Sequence, residues 1–134
     1  MVFEGTAGSC PLCGADDVGG REGCEVLFQE VVGREFSDPA RFQVHMMTVD
    51  AYSLQHPEGY MKSLKSHAAH LTSMCWAQEF DAPPLVGKRV SAWLEGGPEL
   101  VRAPVPPPGA RGALTVADVH ATGDAREHVE VVRR

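Results

Sequence analysis

The sequence predicts an all-α protein, a small helical bundle built on an antiparallel helical hairpin, with an irregular lobe at its N-terminus. Apolar residues recur at intervals of three and four along much of the chain, which is the spacing of one helix face. No segment alternates clearly with period two, as a half-buried strand would. The length of 134 residues suits one domain with one modest core.

We expect this single domain, residues 1–134, to have three parts. Residues 1–23 are rich in glycine and should form a lobe with little regular structure. Residues 24–97 should form the helical bundle. Residues 98–134 should hold a proline-rich connector, with the stretch APVPPPG at 103–109, followed by a C-terminal helix.

Start and stop signals place the first two helices of the bundle. A first helix is predicted over about 24–35, where apolar residues recur at helical spacing. The stretch Ser37-Asp38-Pro39 then supplies a capping residue followed by proline at the first helical position. A second helix should therefore run from there to about Gln55.

Further signals predict the remaining helices. Pro57 and Gly59 form a tight turn, and a third helix over about 60–80 should return antiparallel to the second. The Pro83-Pro84 pair should end it, and a fourth helix is predicted over about 85–94.

Two capping-box patterns follow the connector. They are Thr115 with Asp118 and Asp124 with Glu127. They predict one short helical turn and a final helix from about Ala125 to the end of the chain.

Charge and hydropathy exclude several classes of partner. The chain has 12 basic and 18 acidic residues, a net charge of −6, whereas nucleic acids and anionic membranes require an excess of cations. No apolar run approaches the roughly 20 residues that cross a bilayer. The N-terminal stretch MVFEGTAGSCPLC lacks the basic start and apolar core of a signal peptide. We therefore expect a cytoplasmic protein that binds neither nucleic acid nor membrane.

The cysteines give the strongest chemical signal. Disulfides are not expected in the cytoplasm. Cys10 and Cys13 form the motif CPLCG, whose tight turn presents two thiolates to one metal ion, so we predict a Zn²⁺ site here. A redox pair is disfavoured because the motif lies in a glycine-rich coil and not between a strand and a helix. Cys75 is predicted to be a core residue of the third helix.

Two thiolates do not complete a tetrahedral zinc site, and the sequence leaves the other ligands open. One alternative adds Cys24 and one helix histidine, His45 or His70, which would close the lobe on itself. The other consists of Cys10, Cys13, His45 and His70 and would attach the lobe to the hairpin. A further hypothesis is that Cys24 is a reactive thiol, because a helix N-terminus lowers the pKa of cysteine.

His45 and His70 are candidate ligands because they should meet inside the hairpin. On a helix, His45 shares a buried stripe with Tyr52. His45 lies 12 residues before Pro57 and His70 lies 13 after it, so their heights should differ by only about 2 Å. His56 lies roughly 16 Å along the helix from His45, so these two should not share a metal. The alternative for each is a buried, hydrogen-bonded histidine without a metal.

A second polar group lies toward the turn of the hairpin and is a candidate binding site. It consists of Asp50, Tyr52, Gln55 and His56. Asp50 is a candidate acceptor for a metal-bound histidine on another helix. A purely structural role is the alternative, in which His56 interacts with the last carbonyls of its helix and Gln55 satisfies the turn.

A combination of six features spans about residues 10–130: CPLCG, Cys24, FSDP, VHMMTVDAYSLQHP, KSHAAHL and RGALTVADV. This combination resembles a bacterial family of small proteins, domain of unknown function family 5946. The resemblance implies that the family signature falls at Cys10, Cys13, His45, Asp50, Tyr52, Gln55, His56, Ser66 and His70. His67 is outside it, which favours His70 as the histidine of the third helix.

Two classes of function remain. In the first, the protein binds Zn²⁺ and its histidines line a pocket for a small-molecule ligand, with metal-dependent catalysis on a small polar substrate as the enzymatic form. In the second, zinc is purely structural, and the protein is a non-catalytic interaction or regulatory module that contacts a protein partner or a second copy of itself. The sequence does not decide whether the protein is an enzyme.

Overall fold

The computed structural model describes residues 8–60, 62–80, 86–100 and 104–134. These ranges are helical and contain no strand, which confirms the predicted all-α class. The helices are α1 (Gly20–Ser37), α2 (Pro39–Phe42), α3 (His45–Gln55), α4 (Pro57–Tyr60), α5 (Leu64–Phe80), α6 (Val86–Glu95), α7 (Val116–His120) and α8 (Ala125–Val132), with a 3-10 turn at Pro108–Ala110. Among them, none combines the length and apolarity of a membrane span. The predicted Pro83-Pro84 stop lies outside the described residues.

Helix α1 begins four residues earlier than predicted. The carbonyl oxygen of Gly8 accepts hydrogen bonds from the backbone N–H groups of Val18, Gly19 and Gly20, at 3.0, 2.9 and 2.8 Å. The first N–H groups of a helix have no partner within the helix, so an acceptor from the preceding loop supports an early start. Part of the glycine-rich lobe is therefore helical.

The predicted second helix is interrupted at Gln43. Asp38 caps α2 as expected, because its carboxylate accepts from the Ala40 N–H at 3.0 Å. The Gln43 side chain then donates to the Ala40 carbonyl at 2.7 Å, and the Val44 N–H donates to the Arg41 carbonyl at 3.2 Å. These bonds close α2 after one turn, and α3 begins at His45.

The connection between α3 and α5 is longer than the tight turn that the sequence suggested. It contains the one-turn helix α4, with Pro57 at its first position. Helix α5 begins only at Leu64, after Ser63, whose hydroxyl accepts from the Ser66 N–H at 3.0 Å. A serine cap at this point explains why the predicted start near residue 60 is too early.

The described residues fall into two compact units, and the single domain with three parts that the sequence suggested stays a prediction. The first unit comprises the described residues up to His45 together with 106–134. In it, α1 packs against α2 and α7, and α8 packs against α2 and α7. Its apolar core consists of Ala15, Phe28, Val31, Val44, Val116 and Val119.

The second unit comprises the described residues from Met46 to Val105. In it, α5 packs against α4 and α6. Its buried apolar residues are Tyr52, Pro57, Val90 and Leu94, whereas its buried polar residues are Thr48, Asp50, Ser53, His56, His67 and Ser73. Aspartate is rarely buried without a specific partner. Buried polar groups such as these normally have hydrogen-bond partners.

Cys75 is exposed, which contradicts the predicted core position. On an ideal helix, a residue five positions after His70 is rotated by about 140° from it. The buried face of α5 carries His67 and Ser73, on either side of His70, so Cys75 faces away from it.

Candidate metal centre

The CPLCG motif forms a tight turn with two buried thiols. The Cys10 N–H donates to the Ala15 carbonyl at 2.9 Å, and the Gly14 N–H donates to the Cys10 carbonyl at 2.9 Å. Gly14 has a φ of 85°, in the left-handed region that favours glycine. Cys10 and Cys13 are both buried. The motif therefore presents two sulfur atoms to the inside of the first unit.

Arg111 holds this turn from the C-terminal part of the same unit. Its guanidinium is part-buried and donates to the carbonyl of Leu12, between the two cysteines, at 3.2 Å. A second bond, from Nε to the carbonyl of Pro106 at 2.9 Å, fixes the arginine itself. The position of this turn, which we call the knuckle (residues 10–14), therefore depends on a residue far away in the sequence.

Cys24 brings a third thiol to the same place. It lies on α1 and is fully buried, and its Sγ is 3.7 Å from Sγ of Cys13. Hydrogen bonds with Cys10 and Cys13, together with burial, raise the pKa of the Cys24 thiol well above its ordinary value. The reading of Cys24 as an activated thiol is therefore wrong for the metal-free protein, and its position one turn inside α1 weakens the effect of the helix N-terminus.

His56 supplies an imidazole with a fixed orientation. Its Nδ1 donates to the carbonyl of Tyr52 at 2.7 Å, and its ring stacks on the Tyr52 ring at 3.9 Å between centroids. Because a carbonyl only accepts, the hydrogen is on Nδ1, which leaves Nε2 as the ligand atom. His56 is buried.

These four residues form a group of metal-binding type. One ligand atom from each lies within 4.8 Å of the other three, and all four side chains are buried: Cys10, Cys13, Cys24 and His56. We refer to this group as the Cys3His cluster. Sulfur and imidazole nitrogen are suitable donors for a transition metal, so the cluster could hold a metal ion. The sequence placed His56 with the binding residues and not with the metal ligands.

His45 has a different partner. Its Nδ1 lies 2.9 Å from Oε1 of Glu35, and Oε2 of Glu35 lies 2.7 Å from Nε2 of His128. Glu35 and His128 are fully buried. The His45 ring also contacts two phenyl rings, with its centroid 4.7 Å from that of Phe36 and 5.1 Å from that of Phe42. No local signal in the sequence marks Glu35 or His128, because their contacts are long-range.

His70 is held in the second unit by Asp50. Its Nδ1 lies 2.8 Å from Oδ1 of Asp50, which is almost completely buried. This contact agrees with the hypothesis that Asp50 accepts from a histidine on another helix, while a metal on that histidine stays a prediction. Tyr52 is buried, with its ring 5.4 Å from that of Tyr60 in an edge contact, and Gln55 is half-buried.

Comparison with protein families agrees with the resemblance seen in the sequence. A family model described as a family of unknown function, DUF5946, matches residues 8–134. Neither the curated proteins nor the solved structures yield a match to the chain. The family match includes all residues of the Cys3His cluster as well as His45 and His70, and it covers nearly the whole sequence. The chain therefore belongs to the DUF5946 family.

Proposed function

We propose that the protein binds one Zn²⁺ ion in the Cys3His cluster and that this ion is structural. The observation that carries the proposal is the grouping of four buried ligand atoms within 4.8 Å. Tetrahedral zinc with Zn–S bonds of about 2.3 Å separates its sulfur ligands by about 3.8 Å. The sulfur atoms of Cys13 and Cys24 are 3.7 Å apart, which suits that geometry.

A structural role follows from the number and burial of the donors. Four protein ligands fill a tetrahedral shell and leave no position for a reactive water molecule. Cys10 and Cys13 lie in a glycine-rich loop with little apolar surface of its own, and Cys24 lies on α1. An ion bound to all three would hold the loop against the helix, and metal binding would contribute directly to folding.

Metal analysis of the purified full-length chain tests the proposal. Elemental analysis and native mass spectrometry should find one zinc ion per chain. Cys24→Ser and His56→Ala should each lose most of it. Cys75→Ser is the matched control, because this cysteine is exposed and should leave the zinc content unchanged. A metal-free yet fully ordered wild-type chain would contradict the proposal, as would full zinc retention in Cys24→Ser.

Two further variants test the other ligand set that the sequence allowed. If Cys10, Cys13, His45 and His70 bound the ion, His45→Ala and His70→Ala would release zinc. We expect both to retain it, because neither residue belongs to the Cys3His cluster.

With a closed structural ion, the function resides elsewhere in the protein. One candidate is a non-catalytic interaction or regulatory module. The other is an enzyme acting on a small polar substrate, and one observation favours it. His45 and His70 each have Nδ1 on a buried carboxylate, and among the described residues Nε2 of each has no hydrogen-bond partner. This is the arrangement of histidines that bind metals or transfer protons. Cysteines that form no disulfide also suit the reducing cytoplasm, where we place the protein.

A further inference from the structure

We propose that Asp50 and His70 form a general-base pair in the second unit. In this pair, Nε2 of His70 removes a proton from water or from a hydroxyl group of a small polar substrate. The inference rests on the enzymatic candidate function described above and assigns its chemistry to this pair. The zinc ion takes no part in this proton transfer.

The geometry gives His70 a defined tautomer. Nδ1 of His70 lies 2.8 Å from Oδ1 of Asp50, and a carboxylate oxygen can only accept, so the hydrogen is on Nδ1. In the neutral imidazole Nε2 then carries a free lone pair. The side chain of His70 is 19% exposed, against 2% for Asp50, so the base is reachable while its partner is enclosed.

Two buried oxygen atoms beside this pair point to a ligand. Oδ2 of Asp50 and Oγ of Ser53 are both buried and have no hydrogen-bond partner in the described part of the chain. They lie on α3 three residues apart, which places them on one face of the helix. Native proteins rarely leave such atoms unsatisfied, so an outside donor belongs there. The complementary molecule is small and carries an O–H or N–H group, as water and polar substrates do.

The other carboxylate–histidine pairs lack this feature. Both oxygens of Glu35 are engaged by imidazoles, those of His45 and His128. His120 is bound through Nε2 to Glu30, whose side chain is 54% exposed, so this pair is a surface contact. Among the carboxylate–histidine pairs of the described residues, only the Asp50 pair combines a part-exposed histidine, held through Nδ1, with an unpaired buried carboxylate oxygen.

The proposed step can be written for hydrolysis of an ester. A proton moves from water to Nε2 of His70 while the water oxygen attacks the carbonyl carbon. The C–O bond to the leaving group then breaks, its electron pair leaves with the alkoxide, and the proton on His70 passes to the alkoxide or to solvent. Asp50 stabilises the imidazolium and holds the tautomer, so it is a positioning residue.

Hydrolysis of p-nitrophenyl acetate by the full-length, zinc-loaded protein tests the base. The assay uses a Cys75→Ser background, because an exposed thiol can itself react with the ester. His70→Asn keeps an amide N–H near the position of Nδ1, so Asp50 stays paired, but it removes Nε2. After the rate in buffer alone is subtracted, we expect His70→Asn to lower the rate of ester hydrolysis by about 10²-fold. His120→Asn is the control and should leave the rate unchanged.

A second readout tests the positioning role of Asp50. Long-range ¹⁵N–¹H NMR spectra should show His70 with its hydrogen on Nδ1 in the wild-type chain. Asp50→Asn should shift the tautomer population and lower the rate, because the amide can donate to Nδ1 as well as accept from it. A residue with a purely structural role would not move this signature.

The outcomes separate this inference from the zinc proposal when zinc content is measured in the same samples. Loss of rate in His70→Asn with zinc retained supports the pair. Hydrolysis no faster than buffer in the wild type would overturn the inference, as would a full rate in His70→Asn, a hydrogen on Nε2 in the wild type, or a loss of rate that occurs only with loss of zinc. None of these outcomes depends on which residues bind zinc.

Discussion

Nε2 of His128 lies 2.7 Å from Oε2 of Glu35, and neither side chain has any exposed surface. The two residues are 93 positions apart and connect the end of α1 to α8. A carboxylate enclosed in this way depends on its partners, because it has lost its hydration. The second partner, His45 at 2.9 Å, completes a group of three interacting side chains in the first unit.

The first prediction concerns this buried carboxylate. Glu35→Ala should lower the free energy of unfolding by about 3–5 kcal/mol, because it leaves His128 buried without its partner. Urea unfolding followed by circular dichroism measures the change.

The matched control for Glu35→Ala is Glu30→Ala, which removes the exposed contact with His120. Exposed ion pairs contribute at most about 1 kcal/mol. Equal effects of the two substitutions would contradict the structural role of Glu35.

The second prediction concerns zinc and stability. Addition of zinc to the chelator-treated protein at 100 times its Kd should raise the free energy of unfolding by about 2.7 kcal/mol, because the folded chain binds the ion and the unfolded chain does not. Thermal and urea unfolding at increasing zinc concentration measure the effect. Cys75→Ser should respond like the wild type, whereas Cys24→Ser should respond little. A zinc-independent melting temperature in the wild type would argue against a structural ion.

The third prediction concerns how the free energy of unfolding depends on pH, because the sign of this dependence differs between the metal-free and metal-bound forms. In the metal-free protein, hydrogen bonds with Cys10 and Cys13 and burial raise the pKa of Cys24 above its ordinary value of 9.0. Above that pH the unfolded chain loses a proton that the folded chain keeps, so stability falls as the pH rises. The metal-bound form holds thiolates, so it should lose zinc and stability as the pH falls.

Unfolding of the wild type between neutral and alkaline pH, with and without chelator, measures both slopes. Metal-free Cys24→Ser is the control and should show a weaker decline at alkaline pH, because serine does not titrate there. A metal-free wild type that becomes more stable above pH 9.0 would disprove the assignment for Cys24.

The fourth prediction concerns the start of α7. The Thr115 hydroxyl accepts from the Ala117 N–H at 3.2 Å, and the Asp118 carboxylate accepts from the Thr115 N–H at 2.7 Å. Thr115→Ala should lower the free energy of unfolding by about 1 kcal/mol, because one N–H at the helix start loses its acceptor. Thr122→Ala is a suitable comparison, because the Thr122 hydroxyl only donates to the Val119 carbonyl. This substitution should lower the free energy of unfolding by less than Thr115→Ala does. A larger loss in Thr122→Ala would contradict the capping role.

Local signals in the sequence located much of the fold. Asp38 before Pro39 and Thr115 with Asp118 both cap helices in the structure, because a cap depends on residues within one turn. The all-α class and the family were predicted correctly for the same reason, since helical spacing and short motifs are local properties. Cys10, Cys13 and Cys24 also lie together, as one of the alternatives required, but the histidine grouped with them is His56 and not His45 or His70.

Long-range contacts were beyond the sequence. The height comparison for His45 and His70 assumed a tight turn at Pro57, whereas α4 lies between α3 and α5, and α5 begins only at Leu64. His56 was compared only with histidines of the hairpin and not with the N-terminal lobe, so its grouping with the cysteines was missed. No periodic pattern distinguishes Glu35 from the exposed glutamates of α1, because its burial depends on His45 and His128.

The hydrogen bond from Arg111 to the Leu12 carbonyl spans 99 positions of the chain. A ribosome adds residues at about 5–20 per second, so Arg111 is made roughly 5–20 s after the cysteines on either side of Leu12. During that interval the nascent knuckle lacks the guanidinium that later fixes it. Zinc that binds during translation would therefore meet two cysteines whose turn is not yet held in place. The rate of zinc exchange should fall sharply once Arg111 has been made and its hydrogen bond has formed.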